Sequence, residues 1–522
     1  MDATAYHDAT KHHFGRFARS LGYLDWATQP NPFRRFTGAV ETMLPREAMP
    51  ESGGHPDAQV GAFLRCALGL SAWKAYQATQ WALRVNPSSG NLHPTEAYLV
   101  RDGVVSHYAP EAHALERRAV LDAAAWRRYT AGRRGFLVGL TSVHWRESWK
   151  YGERAFRYCQ HDIGHALGAL RYSGALLGWH VRLLTCWSDA QMAALLGIDR
   201  AADWGDAEAE AVACLVAVTP TADGSWNDSD PEPLVAAARG AAWEGRPVRL
   251  SPSRVDWPFI DEVAAATAFP GAGAARTAHG DGLTPAVTAA PPFWPVRVPD
   301  EAHGPVGRQV ILKRRSAVVF DPRSALARAA FDRILDRLQP SGLPWDVLPW
   351  PAQVGLVLFV HRVDGLTPGV YALPRDAGMR EAWRAAMRPE FLWERVDAGR
   401  PLDLLVPTDV TWVASRLSCD QSIASDGFLS LGMVARFDGA LREHGEWFYR
   451  RLFWECGLVG QALYLEAEAA GVRGTGIGCF YDDAVHETLG LTGHAWQSLY
   501  HFSMGVPVDD GRLTTRPGYD WE

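Results

Sequence analysis

Four stretches of this sequence carry residue types that can do chemistry together. The first is Asn86-Pro-Ser-Ser-Gly-Asn-Leu-His-Pro94. Pro87 and Pro94 stiffen it and Gly90 lets backbone come close to a ligand. Ser88, Ser89 and Asn91 offer donors to a flat heteroaromatic edge. The second is Lys313-Arg-Arg-Ser316. The planar forks of Arg314 and Arg315 suit a phosphate dianion, and the Ser316 hydroxyl adds a short donor. The third is Gly474-Thr475-Gly476-Ile477-Gly478, a glycine loop whose backbone N–H groups can point at an anion or a ring carbonyl. Arg512 and Arg516 lie downstream and could add positive charge. The fourth runs from Trp149 to His165. There Lys150 beside Tyr151 provides an acid and a base, once burial or a neighbouring charge brings a pKa toward neutrality. Each stretch alone also reads as ordinary structure: a polar turn, a solvated basic turn, surface arginines, a packing tyrosine next to a surface lysine.

The fourth stretch contains His161-Asp-Ile-Gly-His165. Two histidines at i and i+4 share a helix face, and the pattern is that of HExxH with Asp for Glu, so a zinc hydrolase competes on motif grounds. Against it, Gly164 sits inside the turn, Asp is shorter than Glu, and no third ligand is evident. A histidine pair satisfied in the core is the better reading, and no metal is expected.

These residues need elements to hold them. Arg154 to Leu177 is expected as a helix stopped by Gly178. Tyr98–Val100, Ala211–Val218 and Gly355–His361 read as strands, the last ending in a turn at Asp364-Gly365. Ser324 to Leu338 reads as an amphipathic helix, with Leu326, Ala330, Ile334 and Leu338 at four-residue spacing. Helices mixed with short strands imply an α+β class. The run Gly164–Leu170 with Gly178 can be laid on Gly457–Leu463 with Gly471 at the same spacing, which suggests a diverged repeat. From Ala264 to Gly307 the chain is rich in Pro, Ala and Gly, and prolines at this density forbid regular structure. The expected division is therefore 1–248 for one lobe, 249–307 for a connector and 308–522 for the second lobe.

Composition narrows the function. A chain of 522 residues exceeds what one core serves, so two or more domains are expected. Lysine plus arginine is 52 against 59 for aspartate plus glutamate, a net −7, which argues against a nucleic-acid binder. The longest apolar run, around Ala211–Val218, falls far short of the ~20 residues that span a bilayer. Met1 to Ser20 has no apolar stretch of the secretory kind. Seven cysteines lie far apart with no CxxC pair, so a disulfide framework or structural zinc site is not expected and the cytoplasm is.

Together the four segments resemble the nitroreductase-like FMN oxidoreductase superfamily, and within it the SagB/ThcOx-type dehydrogenases in a tandem two-domain form. Asn86 to Pro94 resembles the superfamily's Pro-Ser-x-Gly-Asn loop, which covers Pro87, Ser88, Ser89, Gly90 and Asn91. Arg314-Arg315-Ser316 resembles its phosphate motif. Gly474 to Gly478 resembles the late glycine loop beside the flavin. Lys150-Tyr-Gly-x-Arg154 with Gly164-His165 is similar to the Lys-Tyr segment of azoline-oxidising dehydrogenases.

The resemblance implies two nitroreductase-like domains, each a mostly antiparallel central sheet flanked by helices, fused as an intramolecular pseudo-dimer. Family members are usually homodimers with FMN at the interface, the phosphate motif and glycine loop from one subunit and the Pro-Ser loop from the other. Here those parts are divided between lobes. The first lobe has the Pro-Ser loop and Lys150-Tyr151, but its Phe33-Arg-Arg-Phe36 lacks the serine, and Trp179-His180 replaces the glycine loop. The second lobe keeps Arg314–Ser316 and Gly474–Gly478, but offers only Gln339-Pro-Ser-Gly-Leu-Pro-Trp345 and Phe448-Tyr-Arg450 in the other two places. One complete site holding one FMN is thus expected between the lobes, and one eroded site.

On this carry-over Lys150 and Tyr151 move the proton that accompanies hydride transfer between flavin N5 and a small-molecule or peptide-derived substrate, azoline oxidation being the SagB-like case. The chain departs from that setting in showing no obvious separate leader-binding domain. The alternatives are an NAD(P)H-dependent nitro or quinone reductase, with NAD(P)H as electron donor, and a non-catalytic flavin-binding or assembly protein. No nucleic-acid or membrane partner is expected.

Overall fold

The computed structural model describes residues 1–46, 56–221, 225–271 and 307–522. Its framework is two seven-stranded sheets. The first contains β1 (Glu41–Met43), β2 (Thr95–Arg101), β3 (Val104–Ala109), β4 (Ala114–Val120), β5 (Phe136–Ser142), β6 (His180–Leu183) and β7 (Ala211–Thr219). Their spatial order is β1-β4-β3-β2-β5-β7-β6, and every neighbouring pair is antiparallel. The second contains β8 (Val354–Val360), β9 (Gly369–Leu373), β10 (Glu394–Arg395), β11 (Asp403–Pro407), β12 (Leu429–Arg436), β13 (Arg473–Ile477) and β14 (Trp496–Gly505). It runs β10-β11-β9-β8-β12-β14-β13, again antiparallel throughout. The two orders correspond place by place. Only the outermost strand differs, since β1 reaches its edge from before β2 whereas β10 is inserted between β9 and β11. The diverged repeat is therefore a repeat of topology. Central strands β5, β8 and β14 are buried along their whole length, because helices cover both faces.

Between the sheets lie two helices of 22 residues, α1 (Ala155–Leu176) and α2 (Phe448–Ala469). They cross at two glycines. A Cβ on Gly164 would lie 2.2 Å from the Trp454 carbonyl oxygen and 2.8 Å from Gly457 Cα. A Cβ on Gly457 would lie 2.2 Å from the His161 carbonyl oxygen and 2.8 Å from Gly164 Cα. Such reciprocal contacts mark a pseudo-twofold axis, the geometry of an isologous dimer interface inside one chain. One constant shift in numbering relates Gly164 to Gly457, Phe136 at the start of β5 to Leu429 at the start of β12, and His180 to Arg473.

Each lobe also reaches onto the other. The C-terminal strand Thr514–Pro517 pairs with Leu70–Tyr76 of the hairpin Leu70–Arg84 in the first lobe. From the first lobe, Arg154 and Arg157 each place Nη1 2.8 Å from the buried Asp482 carboxylate of the second. Among the described residues no helix is long and apolar enough to cross a membrane.

Three local expectations change. The helix expected from Ser324 begins at Arg328. Leu326 instead donates its N–H to the Arg362 carbonyl and accepts from Asp364 N–H, so its backbone groups are taken by the neighbouring turn. The expected connector is entered by a helix, Pro258–Ala266, whose proline sits in the first turn where no N–H is needed. The chain beyond it packs Phe269 on Trp447, and 272–306 lie outside the described residues. The glycine segment Gly474–Ile477 is the edge strand β13, not a loop, with Gly478 following directly.

Candidate functional site

The second and third segments form one unit. The helix Gly307–Lys313 ends where Ser316 bridges to Gly474 in β13. The Tyr464 hydroxyl on α2 accepts a bond from the Gly476 N–H at 2.8 Å and lies 2.9 Å from the Ser316 hydroxyl. Period-two glycines follow from what covers them. A Cβ on Gly474 would meet the Phe502 ring at 2.4 Å, one on Gly476 would strike the Tyr500 hydroxyl, and one on Gly478 would lie 2.2 Å from the Tyr158 ring. Thr475 donates its hydroxyl to the Ala317 carbonyl at 2.6 Å, and Ile477 is buried in the core.

Arg314 joins this unit to the first lobe. It donates from Nε to the Val85 carbonyl and from Nη2 to the Arg84 carbonyl, both at 3.0 Å, immediately before the Pro-Ser segment. Its Nη1 is buried without a partner. Arg315 lines a recess of about 410 Å³ together with Lys74, Lys313 and Arg473, with Glu468 and Asp509 on its wall. Burial and the adjacent Arg314 charge press the Arg315 guanidinium down to about 10. Burial, then Arg315 and Arg473, lower Lys74 as well. With Asp510 also on the wall, four cations face three acids, a small positive excess that favours an anion. Arg512 and Arg516 do not themselves line the recess, although the tail that carries them does, through Asp510, Gly511, Leu513 and Thr515. Both arginines are exposed on this C-terminal tail, where Arg512 pairs with Asp510 and Arg516 donates to Gln80.

The Pro-Ser segment turns most of its donors inward. Ser88 donates to Glu147 Oε1 at 3.3 Å and accepts the His93 N–H at 2.8 Å. Ser89 donates its N–H to Asp162 Oδ1 at 3.2 Å, and its hydroxyl donates to the same oxygen at 3.4 Å. Asn91 donates to the Ala82 carbonyl. The expectation that these groups are free for a ring edge is corrected by these bonds. Pro87 is buried behind them, and Gly90, at φ 59°, is the exposed point of the turn. A Cβ there would lie 2.6 Å from the Tyr151 hydroxyl and 3.2 Å from Lys150 Nζ. Gly90, Lys150 and Tyr151 thus share one small space. Tyr151 packs edge-on against Tyr158 at 4.6 Å, and Tyr158 covers Gly478. The four segments converge along one line between the lobes.

Two acids that the sequence reading passed over sit beneath this line. Glu147 is on the helix His144–Tyr151, one turn before Lys150 and Tyr151, and Asp162 is on α1. Both are buried, and Glu147 Oε2 and Asp162 Oδ2 have no hydrogen-bond partner. Burial pushes Asp162 up to about 7 against the Ser88 and Ser89 bonds. Burial and the Asp162 charge push Glu147 well up. Burial and Glu147 in turn raise Tyr151 well above the ordinary phenol range. The available signal was Glu147 at i, i+3 and i+4 to Lys150 and Tyr151, which puts the three on one helix face.

Each histidine of the pair is engaged through Nε2, while both Nδ1 atoms are buried without a hydrogen-bond partner. His161 Nε2 lies 3.1 Å from the Leu499 carbonyl and its ring stacks on Tyr500 at 4.1 Å, while His165 Nε2 lies 3.1 Å from the Tyr500 hydroxyl. Burial lowers both, His165 to about 3. Among the described residues no three His, Cys, Asp or Glu side chains are grouped to hold a metal ion.

The fold is that of the nitroreductases. A protein of Anabaena variabilis assigned as a nitroreductase superposes with a TM-score of 0.72 at 20% identity, covering 97% of this chain and 99% of its own. Residues 370–506 match the model of the nitroreductase family. The Escherichia coli microcin synthetase McbBCD complex gives a TM-score of 0.27 at 16% identity over 36% of this chain and 70% of its own. A Ralstonia eutropha protein assigned as a nitroreductase gives 0.29 at 14% identity over 42% and 90%. No curated protein matches.

Proposed function

We propose that this chain is an FMN-dependent oxidoreductase, of the dehydrogenating kind its Lys-Tyr segment resembles, with one flavin held between its lobes. The observation that carries the reading is the reach of Arg314 from the second lobe to the carbonyls of Arg84 and Val85, at the root of the Pro-Ser segment. The residues present fit the cofactor. Arg315, Lys74 and Lys313 face a recess whose small positive excess a phosphate dianion would relieve, and Arg314 Nη1 is a buried donor lacking an acceptor. Gly90, Tyr151, Tyr158 and Gly478 form a close-packed aromatic seam that runs between the lobes from the Pro-Ser segment to the end of β13. When bound, FMN supplies reversible hydride exchange.

The chain's own residues manage the proton. Lys150 is exposed and Tyr151 half-buried at one mouth, so both can meet substrate. Burial, with Glu147 beside it, keeps Tyr151 in its protonated form, while Asp162, titrating near neutrality, is poised to accept or release a proton. Tyr151 hands the proton on, and Lys150 balances charge at the open side. The substrate proposed is a small molecule or peptide-derived heterocycle, an azoline being the case the resemblance favours.

The test is flavin stoichiometry on purified, FMN-reconstituted protein, followed by reduction of the bound flavin with an azoline peptide or with NAD(P)H. One flavin per chain, reduced by the azoline peptide, is expected. Reduction by NAD(P)H alone would move the assignment to a reductase, and protein that never takes up FMN would overturn it.

A further inference from the structure

Cys479 follows Gly478 at the end of β13, and Cys419 lies in the turn after the helix Thr411–Leu417. Of the seven cysteines, these two face each other, with their sulfurs 2.8 Å apart. That separation is longer than a disulfide bond and shorter than an ordinary non-bonded contact. The turn is shaped for the encounter. Cys419 at φ 55° and Asp420 at φ 57° are consecutive left-handed residues with side chains, a conformation that needs outside support. Gln421 supplies some of it, donating from Nε2 to the carbonyls of Ser418 and Cys479. Tyr481 supplies more, its N–H going to the Leu417 carbonyl and its hydroxyl to Asp420. Both thiols are partly exposed, whereas Cys66, Cys159, Cys214 and Cys456 are buried.

We propose that Cys419 and Cys479 are a redox-active dithiol that exchanges with a low-molecular-weight disulfide. The groups facing Cys479 are the Cys419 thiol, Arg154, whose Nη2 donates to the Gly478 carbonyl, and Asp482. Arg154, held at the Gly478 carbonyl next to Cys479, places a guanidinium charge that favours the thiolate there. Cys479 is therefore the attacking sulfur. Its thiolate attacks one sulfur of the small disulfide, forming a mixed disulfide and expelling one small thiol. Cys419 then loses its proton and displaces the second small thiol from Cys479. The sum converts two protein thiols and one small disulfide into one protein disulfide and two small thiols. The closed bond ties the 418–421 turn to the end of β13, against the Tyr158 ring that covers Gly478.

The experiment is mass spectrometry of the folded, full-length protein after equilibration with oxidised glutathione. The expected result is loss of the mass of two hydrogens, mapped to a Cys419–Cys479 cross-link and reversed by dithiothreitol. Cys419→Ser is expected to trap a glutathione adduct on Cys479, and Cys479→Ser to leave position 419 unmodified over the same time. Two free thiols in the treated wild type, or adducts on both cysteines with no cross-link, would overturn the proposal. None of these readouts depends on flavin or turnover.

Discussion

At matching places on the two long helices stand two buried acids with opposite surroundings. Asp162 on α1 is met by the donors of Ser88 and Ser89 alone, with no cation bonded to it and no partner on Oδ2. Glu455 on α2 accepts the Gln353 and Val354 N–H groups and the Arg375 guanidinium at 2.9 Å. Burial raises both acids, but for Glu455 a full positive charge and two backbone donors oppose it. The pattern extends to their neighbours. Where Tyr158 lies beside Tyr151 and Gly478, the second lobe has Arg451 enclosed by Trp447, Phe269 and Trp350. The Arg34 and Arg35 pair of the first lobe is likewise consumed, Arg34 by Glu208 and Glu210 and Arg35 by Glu116 and Glu41. At this matched position the acid on α2 is thus paired with a guanidinium and the acid on α1 is not. Removing one partner of a buried pair strands the other charge at high cost, and an unpaired buried acid is a candidate for moving a proton.

Breaking each side should therefore have different consequences. The largest effect is expected from Tyr151→Phe, a loss of roughly 10²–10⁴-fold in turnover with flavin binding and melting temperature kept, as fits a lost proton-transfer group. Turnover within a few-fold of wild type would remove Tyr151 from the chemistry. Next is Arg375→Met in the second lobe, which strands Glu455 and should cost about 3–5 kcal/mol in denaturant unfolding, while flavin content below the transition is unchanged.

Asp162→Asn tests the poised acid through pH. Folded Asp162 holds its proton up to about 7, whereas the unfolded carboxyl ionises from 3.8. The stability this group contributes is full below 3.8 and is lost as pH rises through about 7. The variant should accordingly gain melting temperature relative to wild type between about pH 4 and about pH 8, and parallel curves would sink the assignment. The smallest effect is Arg315→Ala, expected to weaken FMN by roughly 10- to 100-fold, the worth of a charge-assisted hydrogen bond. Fluorescence titration with FMN is the check for both variants, and Arg35→Ala, at the corresponding arginine pair of the first lobe, should leave the affinity unchanged.

Much of this organisation was legible in the chain. Gly164 and Gly457 sit at equal spacing from Gly178 and Gly471, because two backbones that touch leave no room for a Cβ. The strands around Tyr98, Ala211 and Gly355 were readable as β2, β7 and β8, because apolar runs bounded by turns have few other uses. The glycine triplet was visible too, but its reason was not. The rings of Phe502, Tyr500 and Tyr158 come from β14 and from the other lobe, and nothing near Gly474 in sequence announces them.

Residue types and local spacing determined which elements form and that the chain repeats, and the resemblance of four segments to a family supplied the expectation of a flavin. Tertiary structure alone decided that Ser88 and Ser89 face buried acids, that Arg512 and Arg516 stay on the surface, and that Asp162 goes unpaired while Glu455 does not. The reason is physical. Periodicity is written by neighbours along the chain, whereas a charge is set by the dielectric and the partners around it, and those are supplied by residues hundreds of positions away.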